Sequence, residues 1–151
     1  MATKSRKAAP KSGSVATLTT TRLKKLAVEV FIPREESGKG KLNLSYQAAL
    51  LLPNNDEHAI GIRLQIQGAG LADIAESPDA AAFTIDSVIE GIFALSSKPE
   101  ANEWIGRETY LANYLIPILS DMIETLLSKC GYSGISLQRS FPNKPATNVS
   151  Q

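Results

Sequence analysis

The hydrophobic period of this chain changes once, near residue 97, and that change decides the fold class. Before it, apolar residues recur at every second position. Leu26, Val28, Val30 and Ile32 share one side, with Ala27, Glu29 and Phe31 opposite. Leu42, Leu44, Tyr46, Ala48, Leu50 and Leu52 form a second stripe over Asn43, Ser45 and Gln47. Ile60, Ile62, Leu64 and Ile66 form a third, over Gly61, Arg63, Gln65 and Gln67. Side chains of a strand alternate between sheet faces, so each segment reads as a half-buried strand. A fourth runs from about Ala82 to Leu95, with Phe83, Ile85, Ile89, Phe93 and Leu95 on one face. Its other face (Thr84, Asp86, Val88, Glu90, Ile92) is mixed, which points to burial or an interface on part of both sides. The five residues Pro53 to Glu57 predict a hairpin between the second and third strands. Residues 33–41, with Pro33, Gly38 and Gly40, read as a charged, flexible hairpin loop from the first strand to the second, and residues 68–81 as a longer connection.

After the change the period is helical. Ser97 to Glu100 has capping-box spacing, and Pro99 suits a first helical turn. Leu111, Tyr114, Leu115, Ile118, Leu119, Met122, Ile123, Leu126 and Leu127 then recur at steps of three and four, opposite Asn113, Ser120, Asp121, Glu124 and Lys129. Pro117 removes the hydrogen bond to residue 113 and predicts a kink or a split. Gly131 predicts the C-terminal cap. A short extended piece, Ile135-Ser136-Leu137, follows, and the tail 142–151 reads as unstructured. Strands followed by helices predict an α+β fold: a four-stranded antiparallel sheet, then a Pro-broken helix pair packed on one face.

The chain of 151 residues is long enough for one sizeable core, and its 43% apolar and 21% charged residues are near globular averages. Residues 1–21 hold almost nothing to bury and read as a disordered basic arm. Residues 1–25 carry seven of the 16 basic groups and none of the 15 acids, which leaves nine against 15 and a net of −6 for the rest. Such an arm fits nucleic acid or an acidic partner through counterion release, and equally a solubilising tail. It has no aromatic residue to stack on bases, which argues against specific readout. One cysteine excludes a disulfide framework, and the sequence shows neither a secretory leader nor a run of about 18 apolar residues. A cytoplasmic protein without membrane insertion is the expectation.

Catalytic and metal constellations are missing from the pattern. Ser37-Gly38-Lys39-Gly40-Lys41 lacks the spacing of a phosphate loop and enters a strand. His58 reads as a solvated turn residue. Cys130 sits at a helix C-terminus, whose partial negative charge disfavours a thiolate. Asp121 and Glu124 lie one turn apart but are too few to ligate a metal. Apolar surface is the remaining clue: Leu42, Leu44, Tyr46, Phe83, Ile85, Phe93 and the helix stripe exceed what a helix pair over four strands requires. The surplus is either core, or a subunit interface or binding groove.

Over about residues 22–141 the sequence resembles the SecB-type chaperones. Arg22-Leu23, Val28-Glu29-Val30 and Pro33 are similar to that family's opening strand. Gly91-Ile92-Phe93 matches its Gly-Ile-Phe at the close of the fourth strand, and Asp86 falls where it carries an acid. The run Ile116 to Ile123 resembles its Phe-Pro-Tyr-Ala-Arg-Glu-x-Ile, keeping Pro117, Asp121 and Ile123 and replacing its Phe, Tyr and Arg by Ile116, Ile118 and Ser120. Leu127-Ser128-Lys129 and Ile135-Ser136-Leu137 resemble its Val-Ser-Arg and Leu-Asn-Leu at the same separation. After Phe141 there is no counterpart of the family's terminal helix and tail. The near-neutral charge and basic arm depart from its strongly acidic members.

The resemblance implies a dimer of dimers that holds non-native polypeptide in apolar grooves without ATP, a cofactor or catalysis. It would serve either protein export or one dedicated partner such as a toxin–antitoxin pair. Leu42, Leu44, Tyr46, Leu71, Ile74, Met122, Leu126 and Ile135 are the expected client-binding residues. Phe83, Ile85, Ile89, Leu111, Leu115 and Leu119 are expected at the oligomer interface. The alternative is a non-catalytic adaptor that assembles through the same fold and docks its basic arm on an acidic partner.

Overall fold

The computed structural model describes residues 15–51, 58–74, 80–97 and 103–142. Four strands, β1 (Ala16–Val30), β2 (Lys41–Leu51), β3 (Ala59–Leu71) and β4 (Ala81–Leu95), form one sheet in the order β1-β4-β3-β2. Every neighbouring pair is antiparallel. A one-turn helix, α1 (Arg34–Ser37), lies between β1 and β2, and α2 (Glu108–Ala112) and α3 (Ile116–Lys129) follow the sheet. The fold is α+β, as the change of period predicts.

Two of the expected boundaries are wrong, each for a physical reason. β1 begins at Ala16, so residues 16–21 belong to the sheet and not to a disordered arm. Their alternation is hidden because β1 carries two irregularities against β4, between Leu18 and Thr20 and between Leu23 and Lys25. Each extra residue flips the facing of those beyond it. Leu18, Leu23 and Val28 consequently oppose Phe93, Ile89 and Ile85, all on one face, at intervals no period-two reading would join. β3 likewise continues to Leu71, through part of the expected connection. Gly68 and Gly70 occupy its next covered-face positions, opposite Ile85 and Phe83, so the apolar signal stops at Ile66 while the strand does not.

The segment 33–41 is not a hairpin. It starts at one edge strand and ends at the other, and carries the chain across the end of the sheet through α1. The hairpin expected at Pro53–Glu57 lies outside the described residues, but β2 and β3 pair as it requires, from Lys41 opposite Leu71 to Leu51 opposite Gly61. The capping-box reading at Ser97–Glu100 falls largely outside the described residues, and α2 begins at Glu108. Pro117 splits the helix. It stands in the first turn of α3, where its missing N–H costs nothing, after a turn at Asn113–Leu115. Gly91 faces this junction: a Cβ there would come within 2.8 Å of Leu115 Cδ2, so the bare backbone lets the turn before α3 pack on β4.

The core lies between the sheet and the helices. Ile60, Ile62, Leu64 and Ile66 of β3 and Phe83, Ile85, Ile89 and Phe93 of β4 are at most 3% exposed. From the helical side Leu111, Leu115, Ile116, Leu119, Ile123 and Leu127 are completely buried. This corrects the interface expectation. Phe83, Ile85, Ile89, Leu111, Leu115 and Leu119 are at most 3% exposed within one chain and offer no face on which another subunit could pack. The opposite sheet face is polar, with Lys25 on Asp86 at 2.6 Å and two donors of Arg63 converging on Glu90 Oε2 at 2.9 and 3.1 Å.

α3 ends in a Schellman motif. Tyr132 N–H donates to the Leu127 carbonyl (2.8 Å) and Gly131 N–H to that of Ser128 (3.1 Å), with Gly131 at φ +97°. Nothing lies within 4 Å of a Cβ built on Gly131, so Gly131→Ala carries the backbone cost alone. We expect it to lower the unfolding free energy by roughly 1–2 kcal/mol in urea denaturation. Leu119→Ala, which empties a completely buried site, should cost roughly 2–5 kcal/mol.

Candidate functional site

A cleft of about 130 Å³ opens at the end of the sheet where the crossover passes. Its construction begins where β1 stops. The N–H groups of Phe31 and Ile32 both donate to the Ala82 carbonyl (2.8 and 3.1 Å), and Pro33 then starts α1. Asp73 N–H donates to the Ser37 carbonyl at 2.9 Å, which ties α1 to the chain leaving β3. Gly40 lies so close to β3 that a Cβ would fall 1.6 Å from the Leu71 carbonyl oxygen, so only glycine lets the crossover press onto that strand.

The floor is aromatic. Phe83 opposes Gly70 across β4 and β3, and a Cβ on Gly70 would lie 2.3 Å from the Phe83 ring. The ring therefore lies across the bare backbone of its neighbour, an aromatic covering a glycine. Tyr132 packs on Phe83 with ring centroids 4.7 Å apart, and its hydroxyl donates to the Ile32 carbonyl at 2.5 Å. Arg34 sits 5.7 Å above the Tyr132 ring, within cation–π range. Leu42, Leu71 and Ile135 wall the cleft and Arg34 and Lys41 are its charged lining.

Of the eight expected client-binding residues, the structure brings three together here: Leu42, Leu71 and Ile135. Leu44 and Tyr46 continue the same face of β2 away from the cleft, opposite Gly68 and Ile66. They are half-buried against the core, as are Ile74 and Met122, and Leu126 is half-buried as well. Tyr46 meets the Phe141 ring at 6.2 Å. The segment after α3 runs back along that helix, held by Leu137 N–H on Glu124 (2.7 Å), Arg139 on Glu124 (2.9 Å) and the Ser120 hydroxyl on the Gln138 carbonyl (3.2 Å).

Sequence reasoning missed Tyr132 and Arg34 and assigned Phe83 to an interface. A signal for Tyr132 existed: the residue after a helix-capping glycine commonly makes an apolar contact back to the last turn. Phe83 could be placed only once its register against Gly70 was known. Elsewhere, His58 is exposed and its carbonyl accepts from Leu95 N–H (2.9 Å), while Cys130 is an exposed helix cap. Asp121 is exposed, and Glu124 is engaged as described. Among the described residues no three His, Cys, Asp or Glu groups converge as a metal site, and no helix is long and apolar enough to cross a membrane.

Burial pushes the Tyr46 phenol up from 10.0 to about 12; nearby Arg139 opposes this and Glu124 adds to it. Tyr110 is also raised, chiefly by its side-chain hydrogen bond with Tyr114. A raised acid favours the folded state fully below its unfolded value. The Tyr46 contribution should thus be intact below pH 10.0 and lost as pH climbs to about 12. Absorbance titration of the phenols should show late-ionising tyrosines, and Tyr46→Phe should remove one of them.

No family model matches this sequence, and no curated protein does. Solved structures do. A SecB-like chaperone of Mycobacterium tuberculosis, Rv1957, in complex with a ChAD peptide from the Rv1956 HigA1 antitoxin, is similar with a TM-score of 0.68. The two share 14% identity over 82% of this chain and 89% of the other. A protein of unknown function from Streptococcus agalactiae is similar at a TM-score of 0.52 and 17% identity, over 84% of this chain and 99% of its own. The sheet order, the split helix and the aromatic-floored cleft therefore belong to a chain with the fold of the SecB-like chaperones.

Proposed function

We propose that this chain is an ATP-independent holdase that captures non-native polypeptide, and that it serves one dedicated partner of the antitoxin kind. One observation carries the reading: an aromatic-floored cleft stands open at the end of a fold whose solved neighbour is a chaperone in complex with an antitoxin peptide. The cleft is lined by apolar and aromatic side chains, glycine backbone, Ser37 and two cations, a chemistry suited to holding a peptide. Extended clients present alternate side chains along an open backbone, and an apolar surface of Leu, Ile, Phe and Tyr accepts many of them. In this reading Leu42, Leu71 and Ile135 make the first contacts, and Leu44, Tyr46, Ile74, Met122 and Leu126 extend the surface. Cofactors have no part in it.

A chemically denatured client diluted into buffer should scatter less light when this protein is present, without added nucleotide. Leu42 is 38% exposed, so Leu42→Ser should weaken that protection severalfold while leaving the unfolding midpoint in place. Undiminished aggregation at equimolar protein would move the weight to the adaptor reading.

The assembly is part of the proposal: several copies, as a dimer of dimers. Leu23 supports it, being 44% exposed on the covered-face side of the edge strand β1, opposite Ile89. Light scattering at two protein concentrations should give a mass near four chains, and a monomer at both would overturn this part.

A further inference from the structure

We propose that the cleft selects segments in which a large apolar or aromatic side chain stands next to an aspartate or glutamate; the inference rests on reading the cleft as a polypeptide site. Size sets the first half of the preference. A cavity of about 150 Å³ accommodates a benzene ring, whereas sites for whole small-molecule ligands run to roughly 300–1,000 Å³. At about 130 Å³ this cleft takes one side chain, and the Phe83 and Tyr132 rings face it there.

Charge sets the second half. Beyond residue 25 the chain carries a net of −6, yet the charged residues that line the cleft are both cations, Arg34 and Lys41. Among the described residues neither forms an ion pair. Arg34 is exposed and is kept near the opening by its position above Tyr132, where its guanidinium N–H groups can exchange water for a carboxylate. Its neighbours Glu35 and Glu36, and Asp73 behind the loop, do not line the cleft. They do offset its long-range field, so selection has to act at contact distance, where a carboxylate accepts directly from Arg34 or Lys41. An apolar side chain on the rings and a neighbouring carboxylate on the rim satisfy both features at once.

The test uses short Gly/Ser peptides labelled with fluorescein, each with one Phe followed by Glu, Gln or Lys, titrated with the full chain by anisotropy at physiological salt. The Glu peptide should bind roughly twofold to fivefold more tightly than the Gln peptide, and the Lys peptide most weakly. In an Arg34→Gln, Lys41→Gln double variant the Glu and Gln peptides should bind alike, at about the affinity of the Gln peptide for the parent. Lys41→Gln alone, which leaves the Arg34–Tyr132 contact in place, should remove part of the preference. Equal binding of the Glu and Gln peptides to the parent, or a preference that survives the double variant, would overturn the selection while leaving polypeptide capture intact. Failure of every peptide to bind at millimolar protein, and of versions carrying the Phe–Glu pair several times along one chain, would overturn both.

Discussion

Tyr132 is the contact on which the two layers of this molecule depend. The Schellman turn at Gly131 swings the chain off α3 so that Tyr132 closes the last helical turn through its own N–H. Its ring then packs on Phe83 of β4, its hydroxyl donates to Ile32 just beyond the end of β1, and Arg34 of the crossover lies over its outer face. One side chain thereby links the helix, the central strand, the edge strand and the loop. Each of these contacts is modest alone, about 0.5–1.5 kcal/mol for a hydrogen bond or an aromatic pair. Their convergence fixes where α3 ends relative to the sheet, and so fixes the cleft whose floor the same ring supplies.

The two faces of the sheet divide the work. The covered face gives its apolar residues to the core so completely that the surplus expected from the sequence is largely absorbed within one chain. The open face is held by charge pairs of unequal weight. Lys25 and Asp86 are both well exposed, and such a pair contributes little. Glu90 is only 8% exposed and owes its charge compensation to Arg63, whose outer half stays in water. Losing Arg63 would strand a nearly buried carboxylate, which costs more than the pair contributes.

Strand and helix periodicity made the sheet, the helical layer and the split at Pro117 legible in the sequence, because each is a local pattern with one physical cause. What stayed hidden depended on pairs distant in sequence. Leu23 joins the covered face only because a bulge against β4 separates it from Leu26 and Val28, and a second bulge returns Leu18 to their side. Gly68 and Gly70 look like a connection until their partners Ile85 and Phe83 are known. The cleft was legible in part for the same reason. Leu42, Leu71 and Ile135 announce themselves as apolar residues at the ends of elements. Phe83 and Tyr132 become a floor only when register and helix cap bring them together from opposite parts of the chain.

The size of the cleft also limits how this protein can bind. One buried aromatic or aliphatic side chain contributes about 1.5–3 kcal/mol, before the cost of ordering the segment that carries it. A contact with Arg34 or Lys41 at an exposed rim adds roughly 0.2–1 kcal/mol. The sum corresponds to millimolar affinity or weaker for a single engagement. Among the described residues, the other large exposed apolar side chains, Val15, Leu23, Phe31, Ile105 and Tyr114, do not line the cleft and cannot deepen it. Useful retention of a client therefore requires several engagements along one polypeptide, in which the second is intramolecular and draws on a high effective concentration. A folded protein, which rarely presents several apolar side chains on extended backbone, meets that requirement poorly, and an unfolded one meets it wherever its sequence repeats the motif. On the holdase reading, weak individual sites acting together would favour non-native chains and still let them go.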